Sequence, residues 1–227
     1  DVYKRQQTIR YLLSEVSPIE SEINPTYAVV SALMKYTICA SKYKDALKEQ
    51  PEVEIHKPGF YHSEKDAIDT IVEEIGLSDD EHDIPLRNPL AFLLEAADDI
   101  AYATADFEDA LYKDMISIED LKNRTKIQAS VKKHIQPGKE AKQFEDINFN
   151  ELINKLESCS TKDERLNVTH AWIEEMRKRL IYVAVFEFNS NYSKILNRNF
   201  HDELLLAHNS FLNYFLLMLK ELSLIHI

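Results

Sequence analysis

The chain has 227 residues, 44% hydrophobic and 29% charged, with a formal net charge of −12. That length supports a buried core, the balance excludes long disordered tracts, and the acidity excludes a general nucleic-acid coat, which needs clustered cations. Glycine occurs three times, at Gly59, Gly76 and Gly138, which excludes glycine-rich phosphate loops and disfavours all-β folds. Two cysteines, Cys39 and Cys159, are too few for a disulfide framework and point to a reduced, cytoplasmic compartment. The longest apolar run, residues 211–219, falls well short of a membrane span and contains Asn213, so no membrane partner is expected. Residues 1–6 carry no apolar periodicity and residues 223–227 stop without a cap. Both ends read as non-native or misread, and the chain as an internal piece of a longer protein.

In chain order, residues 8–16 predict a helix with Ile9, Leu12 and Leu13 on one side. Asn24-Pro25 starts a second helix, where Tyr27, Val30, Leu33 and Met34 keep helical spacing up to Lys35-Tyr36. Residues 39–57 are polar and lysine-rich, and Pro58-Gly59 signals a turn. Ser63 and Asp66 resemble a capping box for a helix through Ile75, which Gly76 ends. Residues 79–85 form an acidic loop. Pro89 opens a long helix over residues 90–112, and Ser117 caps a short one over 118–123. Residues 124–167 read as a polar, mobile excursion. Residues 168–196 predict one long helix with Trp172, Met176, Leu180, Val183 and Phe186 as a core stripe, and 202–222 a last apolar helix. The class is all-α, a helical bundle built from central and late helices. Arg177, Lys178 and Arg179 read as surface cations, as do Lys132, Lys133, Lys139 and Lys142. Nucleic acid is not indicated. His56 and His62 read as turn histidines.

The helix over 90–112 carries the chemistry. Asp98, Tyr102 and Asp106 are four apart and share one face, flanked by Glu95 and Asp109. Alanines at 96, 97, 101, 103 and 105 let neighbouring helices approach closely. Carboxylates on such a central helix are costly to bury unpaired. Spacing alone leaves two readings open: Asp98 or Asp99 ligates a hard divalent metal, or the carboxylates cap a neighbouring helix or pair with arginine.

The string Glu95-Ala96-Ala97-Asp98-Asp99-Ile100-Ala101-Tyr102, followed by Ala105-Asp106-Phe107-Glu108-Asp109, resembles the hallmark of the deoxyguanosine triphosphate triphosphohydrolase family of the HD-domain superfamily. Gln7-Thr8-Ile9-Arg10, Leu33-Met34-Lys35-Tyr36-Thr37 and Lys57-Pro58-Gly59-Phe60-Tyr61-His62-Ser63-Glu64 resemble further motifs of that family, in the same order. The resemblance runs from residue 7 to about 206. It implies an HD-domain-like bundle, with residues 7–123 part of the core and 168–222 a C-terminal helical part. It also implies hydrolysis of dGTP, or another dNTP, to a deoxynucleoside and inorganic triphosphate by attack of metal-bound water.

Carried over by residue, the resemblance makes Asp98 a ligand of Mg²⁺ or Mn²⁺. It sets Tyr102 beside the sugar and Asp106 near its 3′-hydroxyl. It directs Lys35, with Tyr36 beside it, and Lys57 at the triphosphate, a fitting task for point-charge ammonium groups. It further implies a homo-oligomer. The family's first His, its His-Asp pair and its acid-base residues belong upstream of the residues present. His82-Asp83 and His201-Asp202 stand in the wrong order and context, so both read as decoys. No catalytic residue is therefore expected in this chain, which alone is expected to be inactive and to expose apolar helix faces. Two other readings are kept: an HD phosphohydrolase with another nucleotide substrate, and a non-catalytic helical module that binds nucleotide or protein.

Overall fold

Apolar residues spaced three and four apart, with few glycines to interrupt them, wind into helices along the chain. The computed structural model describes residues 2–13, 25–45, 57–79, 84–122, 149–200 and 204–207. The described helices are α1 (Val2–Leu13), α2 (Tyr27–Leu33), α3 (Lys65–Glu74), α4 (Pro89–Tyr112), α5 (Ile118–Lys122), α6 (Phe149–Ser158), α7 (Lys162–Leu196) and α8 (Leu204–Ala207), with a 3-10 turn at His62–Glu64 leading into α3. Among the described residues there is no strand; a lone parallel bridge joins Cys39 to Phe60. The fold is an all-α helical bundle. No described helix is long and apolar enough to cross a membrane. His56, His82-Asp83, His201-Asp202, the lysines from 132 to 142 and the expected helix beyond residue 207 lie outside the described residues.

The chain divides into two compact units: Asp1–Glu95 with Asn191–His201, and Ala96–Ser190 with Asp202–Ile227. The first unit closes around Ile9, Val30, Met34, Cys39, Phe60, Ile68, Ile71 and Val72, with Leu13, Leu33, Ile75 and Leu77 packed against them. Tyr27, expected on the inner face of α2, is instead half exposed. α1 takes in residues 2–6, which the sequence sets apart, and Gln6 is buried with its amide reaching the Pro58 carbonyl at 3.5 Å. The capping box ahead of the third helix lies two residues earlier than expected, at Tyr61 and Glu64. Glu64, not Asp66, turns back: its Oε2 accepts from the Tyr61 N–H at 3.0 Å and its Oε1 from the Ser63 hydroxyl at 2.6 Å. Gly76 ends that helix at φ +68°, the left-handed cap that favours glycine. Arg198 donates to the Ile84 carbonyl at 2.6 Å and lies 3.1 Å from Asp79. Burial lowers its pKa below the ordinary guanidinium value, with Asp79 opposing.

The second unit buries Phe107, Leu121, Leu152, Leu156, Ile173, Leu180, Leu204 and Leu205. α6 arises inside the tract read as a polar excursion, because Leu152, Ile153 and Leu156 make a narrow apolar stripe on an otherwise charged helix. α7 begins six residues before its expected start. Thr161 Oγ1 accepts from the Glu164 N–H at 3.2 Å, while Glu164 Oε2 accepts from the Ser160 N–H at 2.7 Å. The α7 stripe holds at Met176, Leu180 and Val183 but not at Phe186, which is half exposed; the 3.6-residue turn carries the buried face to Glu187. Ser117 caps α5 as expected, accepting from the Asp120 N–H at 3.1 Å, and Asp120 reciprocates by accepting from the Ser117 N–H at 2.9 Å. Replacing Ser117 with alanine is expected to cost about 1 kcal/mol. A thermal melt reads that cost as a fall of roughly 2–4 °C.

Candidate functional site

The residues singled out in the sequence divide between the two units. In the first, α2 stops at Leu33 because Met34 turns to an extended conformation. Lys35 and Tyr36, expected at the end of that helix, therefore sit in the turn after it. The Lys35 ammonium lies 5.6 Å from the centre of the Tyr36 ring. The turn is then tied to the segment after Lys57. The Gly59 N–H donates to the Ile38 carbonyl at 2.9 Å, and the Ala40 N–H to the Phe60 carbonyl at 2.9 Å. Gly59 backs directly onto the Tyr36 carbonyl, where any β-carbon would collide. Lys57 itself is exposed.

The first motif docks on the third. Gln7 Nε2 donates to the Tyr61 hydroxyl at 3.3 Å, and the Arg10 guanidinium sits 5.2 Å above the Tyr61 ring and 3.6 Å from Glu64. Three stretches that are separate in sequence thus form one cluster within the first unit. Residues 84–88 join it through Thr37, whose hydroxyl donates to the Pro85 carbonyl at 2.8 Å, and through Asn88, which donates to the Ser31 hydroxyl at 2.7 Å. Asn88 also caps α4, accepting from the Leu90 N–H at 2.9 Å.

α4 brings a fourth element. Glu95, in its second turn, is buried. It accepts from Arg87 Nη2 at 2.6 Å and pairs with the Lys35 ammonium. Arg87 also donates to the Ala91 carbonyl at 3.0 Å and lies 4.0 Å above the Phe92 ring. The roles of Arg87 and Glu95 are not legible in the sequence, since no local spacing links them to Lys35.

In the second unit, Asp98, Tyr102 and Asp106 occupy successive turns of α4, as their spacing demands. Asp98 and Asp99 are half buried, whereas Tyr102 and Asp106 are exposed. On the buried side of the same helix, Phe107 packs against Trp172 with ring centres 5.9 Å apart. Thr104 is fully buried and accepts from Arg177 Nε at 2.8 Å. Arg177 is thus not a surface cation: it crosses from α7 to anchor α4, and lies 3.7 Å from Glu108, which also pairs with His170. Lys178 and Arg179 do stay on the surface, paired with Glu174 and Glu175 at 3.0 and 3.1 Å. The Lys178 ammonium holds the Glu174 carboxyl below the ordinary range. A separate cleft of about 690 Å³ opens among α5, α6 and the start of α7, lined by Tyr112, Ser117, Lys122, Glu157, Lys162 and Arg165 among others.

Among the described residues no three His, Cys, Asp or Glu side chains converge as a metal cage. Asp98 and Asp99 are adjacent on one helix and point apart by a third of a turn. The described residues therefore do not fit a resident divalent ion by themselves.

No protein-family model matches the chain. Curated proteins do. A deoxyguanosinetriphosphate triphosphohydrolase-like protein of Listeria monocytogenes is 26% identical over 183 residues, 81% of this chain and 35% of the relative. Deoxyguanosinetriphosphate triphosphohydrolases of Serratia proteamaculans and Yersinia pestis are 36% identical over 100 residues and 38% over 105, each covering 44% of this chain and 19% of the relative. The chain spans about a third of the length of its Listeria relative.

Proposed function

From a chain that is a relative of the deoxyguanosine triphosphate triphosphohydrolases, we propose that the whole protein hydrolyses dGTP, or a related dNTP, to a deoxynucleoside and inorganic triphosphate with a divalent metal, Mg²⁺ or Mn²⁺. What supports the reading is the cluster of the first unit. Motifs that resemble this family in sequence are knitted together there around a turn bearing Lys35, by hydrogen bonds and by a glycine that only a bare backbone could replace.

Lys35 and Lys57 supply cations for the triphosphate. Tyr36 lines the first of them, and the aromatic–cation contact holds that ammonium near the ring. Tyr102 presents an exposed ring edge for the sugar, and the Asp106 carboxylate an acceptor for its 3′-hydroxyl. Asp98 would offer such an ion one hard oxygen ligand. The metal would supply Lewis acidity at the reacting phosphorus.

The test is incubation of the full-length protein with dGTP and Mn²⁺ or Mg²⁺. Release of inorganic triphosphate is expected, with no pyrophosphate or monophosphate. A folded full-length protein that releases nothing from any dNTP would sink the hydrolase reading and favour a nucleotide-binding module.

A further inference from the structure

In the second unit, the turn of α4 between Tyr102 and Asp106 is held from behind. Thr104 stands midway between the two in sequence, and helical steps of about 100° set its side chain about 160° from each. Tyr102 and Asp106 are exposed, whereas Thr104 is fully buried. The Thr104 hydroxyl donates its proton to the Ile100 carbonyl at 2.7 Å, so toward α7 it acts as an acceptor, and Arg177 Nε fills that place at 2.8 Å. Arg177 Nη2 also lies 3.7 Å from Glu108, one turn further along α4.

Ile100, Ala103 and Phe107 are buried on the inner side of the same stretch. Apolar burial is non-directional: it presses α4 inward without fixing its roll. A hydrogen bond from a guanidinium is directional. At the helix surface, about 5–6 Å from the axis, a roll of about 10° moves a side chain by about 1 Å, enough to break a hydrogen bond to a ligand. We infer that Arg177 is a positioning residue for recognition of the sugar: through Thr104 it fixes the roll of α4, and with it the place of the Asp106 carboxylate that meets the 3′-hydroxyl. The inference rests on the sugar role proposed above for Tyr102 and Asp106.

The measure is the ratio of dissociation constants for 2′,3′-dideoxy-GTP and dGTP, titrated calorimetrically into the full-length protein with EDTA to stop turnover. The same ratio is read in kcat/KM from hydrolysis with Mn²⁺. The two nucleotides share base and triphosphate, so the ratio isolates the 3′-hydroxyl. A hydrogen bond to a charged acceptor is worth about tenfold or more, which is the preference for dGTP expected of wild type. Thr104→Val keeps the shape and removes the acceptor. It and Arg177→Met are each expected to lower the ratio to about threefold or less, and the double variant no further, because one contact is lost in all three. Affinity for the dideoxy nucleotide is expected to hold within about twofold. A merely structural defect would weaken both nucleotides alike and leave the ratio unmoved. Thr104→Ser keeps the acceptor and is expected to keep the ratio within about twofold of wild type.

A wild-type ratio in Thr104→Val and Arg177→Met would overturn the assignment, as would a fall in Thr104→Ser as deep as in Thr104→Val. So would a wild-type protein that treats the two nucleotides alike in binding and in hydrolysis. If Arg177→Met fails to fold, Thr104→Val decides alone: Arg177 is 35% exposed, so the freed guanidinium reaches water. Sugar discrimination with these dependences but no dNTP hydrolysis would remove the hydrolase reading and leave the role of Arg177 standing.

Discussion

Replacing Gly59 with alanine is expected to lower the melting temperature by about 10 °C and to weaken tripolyphosphate binding along with it. The argument is steric. A β-carbon at this position would lie 2.6 Å from the carbonyl carbon of Tyr36 and closer still to its oxygen. Those atoms are backbone, so no rotamer change relieves the clash. Either the turn bearing Lys35 and Tyr36 or the segment bearing Lys57 must move away. Movement stretches the bonds from Gly59 to the Ile38 carbonyl and from Ala40 to the Phe60 carbonyl. It also loosens Cys39 and Phe60, both buried in the core of the first unit. Overpacking costs about 1–3 kcal/mol and each lost buried hydrogen bond about 1 kcal/mol more. At roughly 2–4 °C per kcal/mol for a domain of this size, the sum is near 10 °C. A Gly76→Ala variant serves as a comparison, because a β-carbon there meets nothing within 4 Å and only its φ of +68° opposes the change. A Gly59→Ala protein that melts within about 2 °C of wild type would mean that the turn yields freely. The close approach would then not set the position of Lys35.

The same glycine shows how much the sequence discloses. Pro58-Gly59 is legible as a turn because proline and glycine act locally. That Gly59 is needed for its closeness to Tyr36 is a non-local fact, carried by no spacing. The helix from Pro89 is legible for the first reason: proline in the first turn is a local signal. α6 is missed because three apolar residues are easily lost among Glu151, Lys155 and Glu157, and only burial against the rest of the second unit makes them a stripe. Ser63 and Asp66 suggest a capping box at the right separation, yet Glu64 takes that part because it is buried and also faces Arg10. At the candidate site, the residue types of Lys35, Tyr36, Asp98, Tyr102 and Asp106 are visible from motif and spacing. The ion pairs that hold Lys35, and the bond by which Arg177 anchors Thr104, link residues from distant segments, and no periodicity announces them.

Replacing Asp98 with alanine in the full-length protein is expected to cut triphosphate release from dGTP by about a thousandfold or more. A bound metal's Lewis acidity is worth several kcal/mol at the reacting centre, and each 1.36 kcal/mol is tenfold in rate. The fold is expected to survive the change. Asp98 is half buried on a continuous helix, and alanine is the better helix former by about 0.5 kcal/mol. The melting temperature should therefore hold or rise, which separates lost chemistry from lost structure. Asp99 is the internal comparison. It is adjacent and equally half buried, but helical geometry turns it about 100° away, so Asp99→Ala is expected to keep most of the activity. Mn²⁺ binding, followed by its paramagnetic resonance spectrum without any substrate, gives a second readout that turnover does not confound. Loss of bound Mn²⁺ in Asp98→Ala with retention in Asp99→Ala would support Asp98 as the ligand. The reverse pattern would transfer the assignment to its neighbour. Full activity in both variants would leave α4 as a packing element, with its carboxylates serving the ion pairs and caps that spacing alone equally allows.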